Sequence, residues 1–278
     1  MRFYSETLGL PDSAFTLLRE LIREKTGIFY EDGKKDILCD KLSPLVLEKG
    51  FNSFLDYYYF LKYDEESYRE WERVFDVLSV PETYFWREID QINALINVIV
   101  PEHHKDRKEE PLRIWSAACA TGEEPLTIAI EINETGWFER LNIEINGTDA
   151  SRKSIEKARE GLYRDRSFRN IPQDIKEKYF LKQGNMFKIT EDIHKRVKFS
   201  VANLLETHKI YDLAASHVIF CRNVFIYFSE NVIRKIVRFF FERMPSPGYL
   251  FVGAAESLLK ITSDFQLKEI GGALCYVK

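Results

Sequence analysis

Cysteine is scarce in this 278-residue chain: Cys39, Cys119, Cys221 and Cys275 are scattered, with no Cys-x-x-Cys pair. That argues against a bound metal or a disulfide framework and suits a reducing compartment. No apolar run approaches the ~20 residues that a membrane-spanning helix needs, and the first residues, MRFYSETLGLPDSAF, lack the apolar core of a signal peptide. A large excess of one charge is missing too. With 40 basic and 44 acidic side chains the net charge is −4, which argues against a general nucleic-acid binder. There are no internal repeats and no low-complexity tracts. What remains is the composition of a globular protein, 45% hydrophobic and 30% charged, long enough for one large domain or two modest ones.

The pattern changes once along the chain. Before about residue 112 it is helical. Phe15, Leu18, Leu21 and Ile22 recur at helical spacing after Pro11-Asp12-Ser13, and Trp71, Val74, Phe75 and Leu78 form one apolar face. KDILCDKLSPLVLEKG and NSFLDYYYFLK predict two more helices, the first interrupted near Pro44. PEHHKDRKEEP, residues 101–111, is the most polar stretch and reads as an exposed connector or a solvated helix end. Beyond it strands and helices alternate: RIWSAAC, EEPLTIAIEINETG, LNIEINGTD, SRKSIEKAREGLY, HVIFCRN, SENVIRKIVRFFFERM, YLFVGAAES, then a hairpin about Gly271-Gly272. This order predicts a doubly wound α/β fold, a parallel sheet with helices on both faces. FLKQGNMFKITEDIHKRVKFSVANLL breaks the alternation with two short β-like runs and no clear helix, and reads as a small β insertion. The expected organisation is a helical domain over 1–85, a connecting helix and polar linker over 86–111, and an α/β domain over 112–278 with its insertion at about 175–200.

RIWSAACATGEEPLTIAI, residues 113–130, carries the chemistry. It is a strand, a turn of small residues and a helix, the unit that many folds use for nucleotides, yet Gly-x-Gly-x-x-Gly is absent. Glu123 and Glu124 stand where a phosphate would otherwise lie on the helix N-terminus. The next strand ends in Asp149, at the position that commonly takes two ribose hydroxyls. A ligand with a ribose, no phosphate and positive charge satisfies both features, and S-adenosylmethionine is such a molecule. Either glutamate alone is also explained by the helix dipole. The sequence leaves open which of the two faces the ligand.

RIWSAACATGEEPLTIAI, GTDASRKSIEKAREGLY, VKFSVANLLE and IFCRNVFIYF, with LSVPETYFWRE before them, resemble in order the motifs of the CheR chemoreceptor methyltransferases, over about Phe15 to Lys278. The resemblance implies a small all-helical N-terminal domain followed by a doubly wound class I S-adenosylmethionine-dependent methyltransferase domain with an inserted small antiparallel β-subdomain. It implies a cytoplasmic bacterial protein-glutamate O-methyltransferase acting on the cytoplasmic helices of methyl-accepting chemotaxis receptors, with no metal and no membrane insertion. Cofactor contacts are implied at Thr83, Arg87, Glu124, Asp149, Asn203, Leu204, Arg222 and Asn223, and the reacting region is implied to hold Arg87 and Tyr227. The attacking group would be a substrate carboxylate, ionised near pH 7, so no catalytic base is needed.

The chain departs from the family at three places. Pro81 stands where an asparagine is frequent. LKQGNMFKI is shorter than the loop with which some members dock a receptor tail peptide, so no such tether is expected. The stretch Ser43-Pro44-Leu45-Val46-Leu47 stands where an arginine-rich run is expected, leaving Lys34, Lys35 and Lys41, which predicts that Leu45, Val46 and Leu47 either contact the substrate's apolar helix face or cover the active-site mouth. Two other readings keep parts of this picture: methylation of another acceptor, or a non-catalytic S-adenosylmethionine-binding signalling module. The intact Arg87, Asp149, Asn223 and Tyr227 speak against the latter.

Overall fold

The computed structural model describes residues 8–278, so the first seven residues of the leading stretch read for a signal peptide lie outside the described residues. The chain divides into two compact units, Met1–Val80 with Tyr227–Val232, and Pro81–Ile226 with Ile233–Lys278.

The first unit holds α1 (Asp12–Thr26), α2 (Lys35–Glu48), α3 (Phe54–Tyr63) and α4 (Ser67–Leu78). The apolar faces read from the sequence are buried: Phe15, Leu18, Leu21 and Ile22 on α1, and Trp71, Val74 and Leu78 on α4. Gly27 ends α1 with φ 80°, and its N–H caps Arg23 O. A Cβ there would meet the Phe228 ring at 3.1 Å, and Phe29 N–H donates to Tyr227 O at 2.9 Å.

Helix α2 runs through Pro44 without a break. The lost backbone donor costs roughly 3 kcal/mol, and burial of Leu42, Leu45 and Val46 on either side offsets it. That packing also removes Leu45 and Val46 from the expected apolar surface, since both belong to the core, and leaves only Leu47 of the three exposed. Lys41 is likewise committed to the fold. Its ammonium donates to Val77 O at 2.8 Å and Leu78 O at 3.1 Å, closing the last carbonyls of α4.

The second unit begins with one long helix, α5 (Ile89–Ala94), a π turn at Leu95–Ile99, and α6 (Val100–Arg107). The polar stretch, read as a connector or a solvated helix end, is helical as far as Arg107, and His103 is buried within it. His103 Nε2 bonds Glu110 O at 2.9 Å and its ring packs edge-on against His217 at 4.7 Å. Charge on the outer face hid an inward one.

There follow β1 (Leu112–Ala117), α7 (Glu123–Glu134), β2 (Ile143–Asp149), α8 (Arg152–Glu160), β3 (Leu162–Tyr163), α9 (Gln173–Tyr179), β4 (Phe180–Gln183), β5 (Met186–Ile189), α10 (Glu191–His194), β6 (Val197–Val201), β7 (Val218–Phe220), α11 (Glu230–Arg243), β8 (Tyr249–Phe251), β9 (Gln266–Ile270) and β10 (Ala273–Val277). The main sheet has the order β6-β2-β1-β7-β8-β10-β9. Its first five strands are parallel and the last two form the antiparallel hairpin at Gly271-Gly272. A separate antiparallel sheet, β3-β5-β4, is the insertion. The stretch read as free of helix holds the single turn α10.

Trp115 is fully buried in β1, and its indole N–H donates to Thr148 Oγ1 of β2 at 2.9 Å. Strand order reverses at β1, between β2 and β7, so their carboxyl ends open a crevice there. Because these strands are parallel, the ends marked in the sequence at Ala118, Asp149, Asn203 and Arg222 all leave the sheet on that side, as does Gly253 after β8.

Candidate active site

The turn after β1 is built from backbone conformations that side chains resist. Among the described residues five non-glycine positions have positive φ: Trp86 (62°), Glu88 (48°), Ala118 (62°), Ala120 (48°) and Asn223 (58°). Each costs on the order of 1–3 kcal/mol and persists only where surroundings impose it. They fall in three segments far apart in sequence, and bonded partners tie those segments together.

Arg222 is the knot. Its side chain is 2% exposed. Nε donates to Glu124 Oε2 at 2.6 Å, Nη1 to Glu88 O and Gln91 Oε1 at 3.1 Å each, and Nη2 to Arg87 O at 2.8 Å. The planar guanidinium thus joins the end of β7 to the first turn of α7 and to the 87–91 segment, which a point-charge ammonium could not do. The resemblance implies a cofactor contact at Arg222; in the structure its donors are directed into the protein, and it acts on the site by holding other residues.

The two glutamates of the turn separate cleanly. Glu123 is 2% exposed, and its carboxylate accepts from Ser167 Oγ at 2.9 Å and Thr121 Oγ1 at 2.7 Å. Burial pushes its pKa up against those stabilising bonds. It fastens the turn to the 165–168 segment. Glu124 instead faces Arg222, with its other oxygen accepting from Ser116 Oγ at 2.6 Å.

Asp149 accepts from Ala120 N–H at 3.0 Å through Oδ2 and from Ser151 N–H at 2.8 Å through Oδ1. It thereby holds the turns after β1 and β2 side by side. Beyond β6, Asn203 and Leu204 are buried, and Asn203 Oδ1 accepts from Leu205 N–H at 3.1 Å. Ala202 N–H bonds Asp149 O at 3.0 Å and sets that corner against β2.

Thr83 and Arg87 lie on the half-buried segment before α5. Arg87 Nη1 donates to Glu82 O at 2.7 Å, and its guanidinium lies 5.6 Å from the Tyr84 ring centre. Tyr84 also carries Arg169 at 3.6 Å. Asn223 donates its backbone N–H to Glu256 Oε2 at 2.8 Å, and its Nδ2 lies 3.4 Å from Glu88 Oε1. Tyr227 belongs to the first unit.

Sequence reading missed Glu88, Gln91, Tyr84 and Glu256. Tyr84 and Glu88 lie within LSVPETYFWRE but received no role there, Gln91 and Glu256 belong to no quoted motif, and Glu88 and Gln91 meet Arg222 from more than 130 positions away.

The donor set fits S-adenosylmethionine. Two carboxylates, Glu124 and Asp149, border a turn in which the half-buried Ala118 and Ala120 carry only methyl side chains. Such a surface repels phosphate and accepts a cation with a ribose. Among the described residues no group of three or more His, Cys, Asp and Glu has the arrangement of a metal site.

Comparison with known proteins agrees with this reading. Residues 81–272 match the family described as CheR methyltransferase, SAM binding domain, and residues 13–79 match CheR methyltransferase, all-alpha domain. The chain belongs to the CheR methyltransferase family, and its second unit is an S-adenosylmethionine-dependent methyltransferase domain. Among its relatives, chemotaxis protein methyltransferase 2 of Vibrio cholerae is 34% identical, the match covering 97% of this chain and 94% of that one. The chemotaxis protein methyltransferase of Borreliella burgdorferi is 32% identical over 92% of both chains. That of Salmonella typhimurium is 30% identical over 95% of this chain and 90% of its own.

Proposed function

We propose that this chain methylates glutamate side chains on the cytoplasmic helices of methyl-accepting chemotaxis receptors, forming methyl esters in chemotaxis adaptation, and that it works in the bacterial cytoplasm. The observation that carries this is the convergence of the strained 86–88, 118–120 and 223 segments on a carboxylate-lined turn. The chemotaxis methyltransferases among its relatives support the acceptor class. No helix of the described residues is long and apolar enough to cross a membrane.

When bound, the cofactor supplies an electrophilic methyl on a sulfonium. Asp149 takes the ribose hydroxyls, Glu124 attracts the α-ammonium, and Asn203 with Leu204 borders the adenine. Thr83 and Asn223 complete the cofactor contacts, and Arg222 keeps Glu124 and the Arg87 backbone in place. The acceptor carboxylate is already ionised at neutral pH, so alignment and removal of water are what the protein adds. Arg87 orients the acceptor without a fixed ion pair that would stabilise the ground state, and Tyr227 walls the transferred methyl. The β4–β5 hairpin turns within two residues, Gly184 and Asn185, so recognition here does without a receptor tail peptide. Measurable binding of such a pentapeptide would count against that last point. Mass-spectrometric mapping of methyl groups on a receptor cytoplasmic fragment tests the acceptor: modification confined to glutamate side chains supports it, and modification of any other residue type overturns it.

A further inference from the structure

We propose that Glu256 is a positioning residue for S-adenosylmethionine binding, acting through Asn223. The inference rests on the reading of Asn223 as a cofactor contact.

Glu256 lies in the turn that follows β8. Its own N–H donates to Gly253 O at 2.8 Å, and its carboxylate folds back to accept from Gly253 N–H at 2.7 Å. The same carboxylate reaches across to the loop after β7, accepting from Asn223 N–H at 2.8 Å and from Ile226 N–H at 3.2 Å. Three backbone donors from two strand ends thus converge on one anion. Such donors need an acceptor once a loop leaves the ladder, and an anion serves converging N–H groups better than a neutral oxygen.

The geometry at Asn223 shows what the clamp achieves. Asn223 is left-handed, φ 58°, a conformation asparagine tolerates better than most residues but does not prefer. Its amide passes directly over Gly253, where a Cβ would come within 2.4 Å of Nδ2 and 2.9 Å of Cγ. Glycine is required here by this close approach. On the far side Glu88 lies 3.4 Å from Nδ2 and 3.3 Å from Ala254 N. Glu256 fixes the backbone, Gly253 opens the space, and Glu88 orients the amide. Glu256 is placed to hold Asn223, and the neighbouring Ile226 backbone, in one conformation before the cofactor arrives, which lowers the ordering cost of binding.

The test is calorimetric affinity for S-adenosylhomocysteine in N223A, E256A, E256Q and the double variant N223A/E256A, with thermal unfolding of each. Loss of an acceptor for converging donors predicts a weakening of about tenfold in E256A, a smaller one in E256Q, whose single carbonyl oxygen still accepts, and a double variant no weaker than the weaker single one. Independent, additive losses would show that Glu256 only stabilises the fold and would overturn the proposal, as would unchanged affinity in E256A. If E256A does not fold, the isosteric E256Q carries the comparison, and unchanged affinity there with a weakened N223A overturns it equally. Unchanged affinity in N223A would instead sink the reading of Asn223, and this role with it.

Discussion

Arg222 Nε meets Glu124 Oε2 at 2.6 Å, with side-chain exposures of 2% and 13%. The pair joins the carboxyl end of one strand to the helix that follows another. Removing one partner of a buried pair strands the other charge, at about 3–5 kcal/mol. Arg222→Ala should lower stability by about that much and weaken S-adenosylhomocysteine binding. Arg222→Lys should keep more stability than Arg222→Ala yet still lose affinity, because one ammonium cannot reach four acceptors set out in a plane. Chemical denaturation with parallel calorimetry checks this; wild-type affinity in the lysine variant would show that the fork geometry is immaterial.

Asp149 bonds the backbone donors of Ala120 and Ser151, and on the proposed reading it also takes the ribose hydroxyls. Asp149→Ala should weaken both S-adenosylmethionine and its demethylated product by roughly 1–3 kcal/mol through lost charge-assisted bonds. Calorimetry that finds equal affinities would remove Asp149 from the site.

Arg87 and Tyr227 are proposed, from the family resemblance, as residues of the reacting region. Arg87→Ala and Tyr227→Phe should lower kcat more than they lower cofactor affinity and leave thermal unfolding nearly unchanged. Wild-type turnover in both variants would move the acceptor pocket elsewhere.

His217 predicts an acid-sensitive fold. Burial, aided by the neighbouring His103 and opposed by the bond to Glu110, lowers its pKa to about 4. Its Nδ1 accepts from Arg113 N–H at 3.2 Å, so the folded state keeps the neutral ring. The unfolded chain, with an ordinary pKa near 6.5, binds the proton first. The contribution is therefore whole above about pH 6.5 and is lost as pH falls towards 4, an effect on the order of 1–2 kcal/mol after allowance for partial solvent screening. Thermal unfolding from pH 7 to 4.5 should show this slope, reduced in His217→Gln; identical slopes in the two proteins would rule the histidine out.

Local patterns announced much of this. The small residues and paired acids of the β1 turn, Asp149 at the end of β2 and the strand–helix alternation were readable because each depends on neighbours in sequence. The part that was not readable depends on distance. Arg222 and Asn223 could be marked as a strand end, but no spacing rule pairs them with Glu88, although it closes the quoted LSVPETYFWRE, or with Gln91 and Glu256. Glu123 and Glu124 are chemically identical in sequence, and only burial tells the fastener from the one facing Arg222. At Pro44 local propensity predicted a break, and the packing of Leu42, Leu45 and Val46 overrode it.

The most direct test is the chemical lability of the product. A receptor cytoplasmic fragment is incubated with this chain and S-adenosylmethionine carrying a labelled methyl, then treated with mild alkali. A methyl ester on glutamate releases its label as volatile methanol, and the release disappears when the fragment's methylatable glutamates are replaced by alanine. Label that stays on the protein through alkali, or persists after those replacements, would contradict the account.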